Sequence, residues 1–421
     1  MENTPDEPNG GVDPCLAIRN RLVAAVVQHA PLELSVLRMD ANLVSLGVSA
    51  TGAPVAIITP TGEALGPFAT RLVALMESQP STMYLVIVAG DEGMPAFFAD
   101  LVARTPDLRS VGLYHLTLQG ELLHIEGRHL GALESAAKKL PQTPSLSLAE
   151  LEGMVSEAQR KHVEAVQFTQ QTRGRFPLVS LVLGGMCILL FFRFGAAQVG
   201  TAIAVAGANL GPLVREGQVW RWLSSIFLHG SQSHLLMNML SLYFVGSFLE
   251  QIVGRSRYLL IYGLSGLGAS IASSMLGPDV WSVGASGAIW GVMTAGYGLA
   301  LRPAGILPPV IAARIKRGLS TPLLINIGIS FLPGIDLRAH FGGGAVGLLL
   351  ALSGLLGNRS VSASAAQTAL TAGKAVPTPK WITAAAVAVG LLMAAALAVA
   401  LQQTLALLSA PAGTLPPGAL S

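Results

Sequence analysis

Charge is scarce in this chain of 421 residues: 12% are Asp, Glu, Lys or Arg against 52% hydrophobic, with a mean hydropathy of +0.58. Soluble domains carry roughly 25% charged residues, so a wholly water-soluble chain is excluded and much of this one belongs in lipid. The scarcity is uneven. Most acids and bases fall before about Arg175, and long uncharged runs follow, which predicts a soluble domain ahead of a membrane domain. Cysteine is nearly missing. Cys15 lies in a polar leader and Cys187 in the first apolar span, so no disulfide framework is available. The leader Met1-Glu2-Asn3-Thr4-Pro5-Asp6-Glu7 is acidic and lacks an apolar core. It is expected to be neither a cleaved signal peptide nor a mitochondrial presequence, leaving targeting to the first span. A strong basic excess is also lacking. The net charge is +3, and its bases lie mainly in loops and the leading domain, which offers no case for nucleic acid as a partner.

What is present begins with alternation. Ala17 to Ala30 and Phe68 to Met76 carry a helical pattern, while Pro54 to Thr59, Thr82 to Ala89 and Ser110 to Leu118 are apolar or β-branched runs of strand length. A small soluble α/β domain over residues 1–146 follows, with a helical linker over 147–175. Its function is not legible: His29, His115, His124 and His129 lack ligand spacing, and Gly90-Asp91-Glu92-Gly93 reads as a turn.

A spanning helix needs roughly 20 mostly apolar residues. The candidates are Phe176 to Phe192, Leu235 to Val253, Tyr258 to Leu276, Gly284 to Leu301, Pro322 to Leu332 with its apolar lead-in, His340 to Leu356, and Ile382 to Leu408. The fifth is short and broken by Pro333-Gly334. The predicted class is an α-helical polytopic membrane protein: a membrane core over 176–357, a linker over 358–380, and a seventh transmembrane helix with a short tail over 381–421. Gly263, Gly266, Gly268, Gly343 and Gly347 sit at spacings that let helices pack closely. Arg173, Arg175, Arg255, Arg257, Arg302, Arg314, Lys316, Arg317, Arg359, Lys374 and Lys380 fall on one side of these spans. Basic loops stay inside, so the α/β domain is expected in the cytoplasm and the start of the fourth span at the outer face. Arg193, Arg215, Arg221 and Arg338 run against this pattern. With no organelle address visible, a bacterial plasma membrane is the expected location.

Three spans bring polar residues to that outer end, where facing lipid would be costly. In the fourth, Gly284-Ala285-Ser286-Gly287 sets one hydroxyl among glycines, which suits either close helix packing or catalysis. In the second, His234 and Asn238 stand four apart on one helix face. In the sixth, Ala339-His340-Phe341-Gly342-Gly343 puts an imidazole just inside the membrane. Read as chemistry, Ser286 is the nucleophile and His340 its base. Asn238, His234 and the Ser286 N–H then stabilise the oxyanion. Asp336 is expected in a solvated turn rather than as a third member. Trp290, a turn after Ser286, either lies against the imidazole or serves as plain core packing.

Together these motifs resemble the rhomboid family of intramembrane serine proteases. His-x4-His-x3-Asn matches His229, His234 and Asn238; Gly-x-Ser-Gly matches Gly284, Ser286 and Gly287; Ala-His-x-Gly-Gly matches Ala339, His340, Gly342 and Gly343; a Trp-Arg pair matches Trp220 and Arg221. The resemblance covers about Arg175 to Leu356. It implies a six-helix core whose Ser–His dyad cuts transmembrane segments of single-span or polytopic membrane proteins near the outer face, in a lipid bilayer and without a cofactor. It further implies that Trp220 and Arg221 brace a surface loop and that His229 supports that loop by hydrogen bonding. Trp290 stands where the family often has Tyr. The leading domain and the seventh span lie outside the matched core.

A substrate helix must unwind locally to be cut, so small or helix-breaking residues are expected near the cleavage point. The fifth span and the turn Phe331-Leu332-Pro333-Gly334 are candidates for the substrate gate and cap. Two rivals are weighed. A zinc site of His229, His234 and His340 lacks a His-Glu-x-x-His motif and a placed carboxylate base, and leaves the glycine-flanked serine unexplained. A non-catalytic membrane protein that binds client helices would be expected to have lost Ser286 or His340.

Overall fold

The computed structural model describes residues 13–30, 34–39, 43–48, 54–59, 69–70, 72–74, 83–90, 94–104, 111–144, 146, 148–198, 201–276, 279, 281–302, 307–354, 356 and 378–409. The chain divides into two units, Met1–Val163 and Glu164–Ser421.

The first unit is built on a six-stranded sheet in sequence order. Its elements are α1 (Pro14–His29), β1 (Leu34–Met39), β2 (Leu43–Val48), β3 (Pro54–Ile58), β4 (Met83–Val88), α2 (Met94–Arg104), β5 (Val111–Leu116), β6 (Leu122–Gly127) and α3 (Gly131–Ala137). The centre, β3-β4-β5, is parallel, and the pairs β1-β2, β2-β3 and β5-β6 are antiparallel. Parallel strands are covered on both faces and read as continuous apolar runs. Met-Tyr-Leu-Val-Ile-Val of β4 is buried throughout. Val86 and Val88 join Leu22, Val23 and Val26 of α1 on one face, while Leu85 and Ile87 join Phe97, Phe98 and Leu101 of α2 on the other.

The three strand-length apolar runs coincide with β3, β4 and β5. Strands β1, β2 and β6 carry no such run. Leu122–Gly127 mixes His124 and Glu126 among apolar residues because it is a half-exposed edge. The helix expected from Phe68 to Met76 falls partly outside the described residues, those described being helical. Residues 91–93 of the expected Gly90–Gly93 turn also lie outside. Leu148–Arg173 forms one helix, α4, over most of the predicted linker.

In the second unit the longer helices among the described residues are α5 (Leu178–Phe194), α6 (Gln232–Val253, with a widened turn at Leu242–Gly246), α7 (Arg255–Leu276), α8 (Ser286–Leu301), α9 (Pro309–Ile329), α10 (Leu337–Leu352) and α11 (Lys380–Ser409). Among the described residues α6, α7 and α11 are long and apolar enough to cross a membrane, and α5 and α10 are shorter apolar helices. The fifth span differs from expectation. It is a continuous helix that begins at Pro309, contains Pro322, and carries Arg314, Lys316 and Arg317 within it rather than in a loop. Helix α9 ends at Ile329, before Pro333-Gly334.

Several arginines counted as orientation signals also bond backbone carbonyls at or just beyond helix ends. Arg257 is buried and donates through Nε to the Leu356 carbonyl at 2.8 Å; Arg302 donates to the Leu352 carbonyl at 2.8 Å, and Arg175 to the Gln251 carbonyl at 3.2 Å. Most of the predicted 358–380 linker lies outside the described residues.

One buried carboxylate ties α5 to α6. Glu250 accepts from the Val179 N–H (2.9 Å), the Ser180 N–H (2.8 Å) and the Ser180 hydroxyl (2.7 Å), so an acid from one helix caps the first turn of another. Charge-assisted bonds of this kind contribute about 1.5–3 kcal/mol each. Glu250→Ala should therefore lower stability by about 2–4 kcal/mol, with Glu250→Gln losing less, when reversible unfolding is followed in mixed micelles. Equal stability of the Ala variant would show that α5 is held by packing alone.

Candidate active site

Ser286 is the first residue of α8, and the chain reaches it through Gly284, whose φ of 128° is open only to glycine. The approach Trp281–Ala285 is fixed at three points. Asn209 and Ser282 exchange backbone hydrogen bonds of 3.0 and 2.9 Å, the Gly284 N–H donates to the Ser225 carbonyl at 3.0 Å, and the Ser282 hydroxyl donates to Asp336 Oδ2 at 2.6 Å.

Asp336 is neither in a solvated turn, as expected, nor beside the imidazole as a third member. Its Oδ1 caps α10 by accepting from the Ala339 N–H at 2.9 Å, and its Oδ2 also accepts from Ser273 of α7 at 2.5 Å. One carboxylate thus joins α7, α10 and the approach to Ser286.

Glycine-to-backbone contact brings α8 and α10 together. A Cβ at Gly343 would overlap the Gly287 carbonyl oxygen, and one at Gly347 would overlap that of Gly291. On its other side α8 presents Gly287 and Gly291 to Ala269 and Ser265 of α7, while Gly268 of α7 meets Val346 of α10. Gly263 and Gly266 face Val389 and Ala288.

At the end of this contact His340 Nε2 lies 2.9 Å from Ser286 Oγ. His340 is 7% exposed and Ser286 partly open. The Trp290 ring lies 5.7 Å from that of His340, tilted by 30°, and Phe341 lies 5.7 Å on from Trp290. The other imidazole nitrogen, Nδ1, meets the Ser330 hydroxyl at 2.8 Å. Ser330, a partner that motif spacing does not identify, follows the last residue of α9.

His234 and Asn238 of α6 flank the same place. A Cβ on Gly284 would come within 2.7 Å of His234 Nε2 and 3.8 Å of Asn238 Nδ2. Asn238 Nδ2 donates to the His234 carbonyl at 3.0 Å, leaving its second amide hydrogen for another acceptor. The cap position of α8 is Ala285, which makes no side-chain cap, so the first-turn N–H groups beside Ser286 receive no local side-chain acceptor.

His229 lies in the loop ahead of α6, next to the Phe227 backbone. Its buried ring lies 5.1 Å from that of His234, but neither ring nitrogen makes a hydrogen bond of ordinary geometry. The His229 backbone holds the loop, its carbonyl accepting from the Ala197 N–H at 2.8 Å. Arg221 is buried and donates to the carbonyls of Ala208 (2.8 Å) and Val205 (2.5 Å), and Trp220 Nε1 donates to the Ala206 carbonyl at 3.2 Å. This pair therefore closes the end of the short helix Ala202–Gly207.

The Rhomboid domain model matches residues 216–357. The chain is 34% identical over 179 residues to the putative rhomboid protease YdcA of Bacillus subtilis (strain 168), covering 42% of this chain and 87% of that one. The chain belongs to the rhomboid family. Other rhomboid relatives match over smaller shares of their length. Rhomboid protease GluP of Bacillus subtilis (strain 168) is 35% identical over 218 residues, 49% of this chain and 41% of its own. RHOMBOID-like protein 4 of Arabidopsis thaliana is 38% identical over 152 residues, 36% of this chain and 38% of its own. The chain thus spans less than half the length of these two relatives. Plant and bacterial rhomboids both match, so the resemblance does not single out a bacterial membrane.

Adding a methyl at the α8–α10 contact should be costly, since the opposing group is backbone. Gly343→Ala is expected to lose about 1–3 kcal/mol or more by overpacking. Gly185→Ala in α5, where nothing lies within 4 Å, should be neutral or gain about 0.5–1 kcal/mol. Thermal unfolding of the two variants reads the difference, and equal midpoints would remove the contact from the account.

Proposed function

We propose that this rhomboid-family protein is an intramembrane serine endopeptidase that cleaves transmembrane segments of other membrane proteins, with Ser286 as nucleophile and His340 as base. The 2.9 Å separation of Ser286 Oγ and His340 Nε2 carries this reading. An isolated serine hydroxyl is a poor nucleophile, and an imidazole nitrogen at hydrogen-bond distance removes its proton as the bond to carbon forms.

In the proposed cycle Ser286 Oγ adds to a peptide carbonyl, His340 Nε2 takes the hydroxyl proton, and the carbonyl oxygen becomes an oxyanion. His340 then delivers that proton to the departing amine, leaving an acyl ester on Ser286. Water, deprotonated by the same nitrogen, releases the acid and restores the serine. The oxyanion is assigned to the free amide hydrogen of Asn238, to His234 and to the Ser286 N–H. These groups are positioned before the charge appears and need not reorganise to meet it.

Hydrolysis needs water, and the partly open Ser286 at a helix start fits a wet depression better than a lipid-facing wall. Cleavage near the outer face, with the leading domain in the cytoplasm, follows from the distribution of bases and belongs to this proposal. So do the gate and cap at α9 and Phe331–Gly334. The buried residues of α9 are Ile311, Ala312 and Ile315 in its first half, while Leu324, Ile325 and Ile329 are exposed.

On a model single-span substrate in liposomes, Ser286→Ala and His340→Ala should each abolish cleavage. Asn238→Ala and His234→Ala should each lower kcat by about 10²–10³-fold, as removal of an oxyanion donor does. Cleavage by the Ser286→Ala protein at the unmutated rate would end the proposal. The same assay tests the fifth span: a disulfide closing the Phe331–Gly334 turn should slow turnover reversibly under reductant, and unchanged turnover would count against the gate.

A further inference from the structure

We infer that Ser330 is a positioning residue for the proposed proteolysis: its hydroxyl selects the tautomer of His340 that presents a bare Nε2 to Ser286. The inference rests on the Ser–His reading above and adds a third member that motif spacing does not reveal. A carbonyl can only accept whereas Nδ1 can donate, so both side-chain contacts of Ser330 are hydrogen bonds at once only when its hydrogen goes to the carbonyl. A serine hydroxyl has one hydrogen, and that of Ser330 donates to the Asn326 carbonyl at 2.8 Å. Toward His340 Nδ1, 2.8 Å away, the hydroxyl is therefore an acceptor, and Nδ1 carries the hydrogen. A neutral imidazole protonated at Nδ1 has its lone pair on Nε2, which faces Ser286 Oγ. The opposite tautomer would set an N–H against the serine and leave nothing to take its proton.

Among the described residues no carboxylate performs this task. Asp336 has its oxygens engaged by Ser273, Ser282 and the Ala339 N–H. The placement of Ser330 is also informative. Its neighbours Ile329, Phe331 and Leu332 are 40%, 67% and 55% exposed, whereas Ser330 is 1% exposed. A polar residue turned inward among outward apolar ones is held there by its hydrogen bonds. As His340 gains a proton during acylation, the bond from Nδ1–H to Ser330 becomes charge-assisted and strengthens. Ser330 thus holds the imidazole while Nε2 works, and touches neither substrate nor nucleophile.

The test uses the full-length protein in detergent with Ser330→Ala and Ser330→Thr. One readout is the rate at which a small fluorophosphonate modifies Ser286; the other is kcat and KM on a single-span substrate. Ser330→Ala should lower both the labelling rate and kcat by about tenfold, the scale for losing a group that orients a functional histidine. KM should stay within about twofold, and Ser330→Thr should restore both rates. Parental labelling of Ser330→Ala would overturn the inference even if substrate turnover fell, because a merely structural role at the end of α9 impedes the helix and not the small reagent. Slowed labelling without recovery in Ser330→Thr would overturn it too. Should Ser330→Ala not fold, ¹⁵N-histidine spectra of the unmutated protein, with His340→Gln to assign the signal, decide the matter. Protonated Nδ1 supports the inference, and protonated Nε2 overturns it. Failure of the unmutated protein to label at Ser286 would instead sink the nucleophile assignment, which the tautomer measurement does not depend on.

Discussion

Backbone touching backbone between α8 and α10 is the constraint on which the site depends. Within a membrane, helices gain little by hiding apolar surface from one another, since lipid is equally apolar; close packing and hydrogen bonds hold them together. Gly343 against the Gly287 carbonyl, and Gly347 against that of Gly291, let the two helices approach to a distance that no side chain permits. Ser286 directly precedes the first of these contacts and His340 stands three residues before Gly343, so the register that seats the glycines also seats Oγ against Nε2. Packing and candidate chemistry share one surface here, and the choice first posed by the glycine-flanked serine need not be made.

The second requirement is an irregular stretch of chain among apolar helices. Unpaired backbone groups are expensive where water is scarce, and the segment leading to Ser286 meets this with named partners: Asn209 and Ser225 for its backbone, Asp336 for Ser282. Asp336 also caps α10 and holds Ser273, so the two helices bearing Ser286 and His340 are referenced to one carboxylate. The site combines a rigid frame with an uncapped α8 terminus. Capping by a side chain, as Ser231 does for α6 and Asp336 for α10, is missing where an oxyanion would need donors.

Much of this was legible beforehand because it lives in spacing. His234 and Asn238 four apart, a serine directly followed by glycine, and a histidine two residues ahead of a glycine pair are patterns whose geometry a helix fixes. The family followed from them, and its relatives bear it out. What could not be read involves residues brought together only by folding. Ser330 and Asp336 are ordinary polar residues near a turn until α9 and α10 place them. The fifth span is longer than its sequence suggests because Pro322, which reads as a start, sits inside the helix, while Pro333-Gly334, which reads as its break, lies beyond the helix end at Ile329. Strands β1, β2 and β6 escaped because strands toward a sheet edge need no continuous apolar run. The leading unit yields a sheet and two cores, and its pattern points to no chemistry.

The central claim is that the frame around α8 and α10 presents Ser286, its base and its oxyanion donors to a single reacting atom. An experimental structure in lipid nanodiscs after reaction with a fluorophosphonate measures this most directly. The account predicts phosphorus bonded to Ser286 Oγ, with the phosphonyl oxygen turned toward Asn238 and His234 and His340 on the opposite side. An adduct on another residue, or a phosphonyl oxygen directed away from α6, would contradict it.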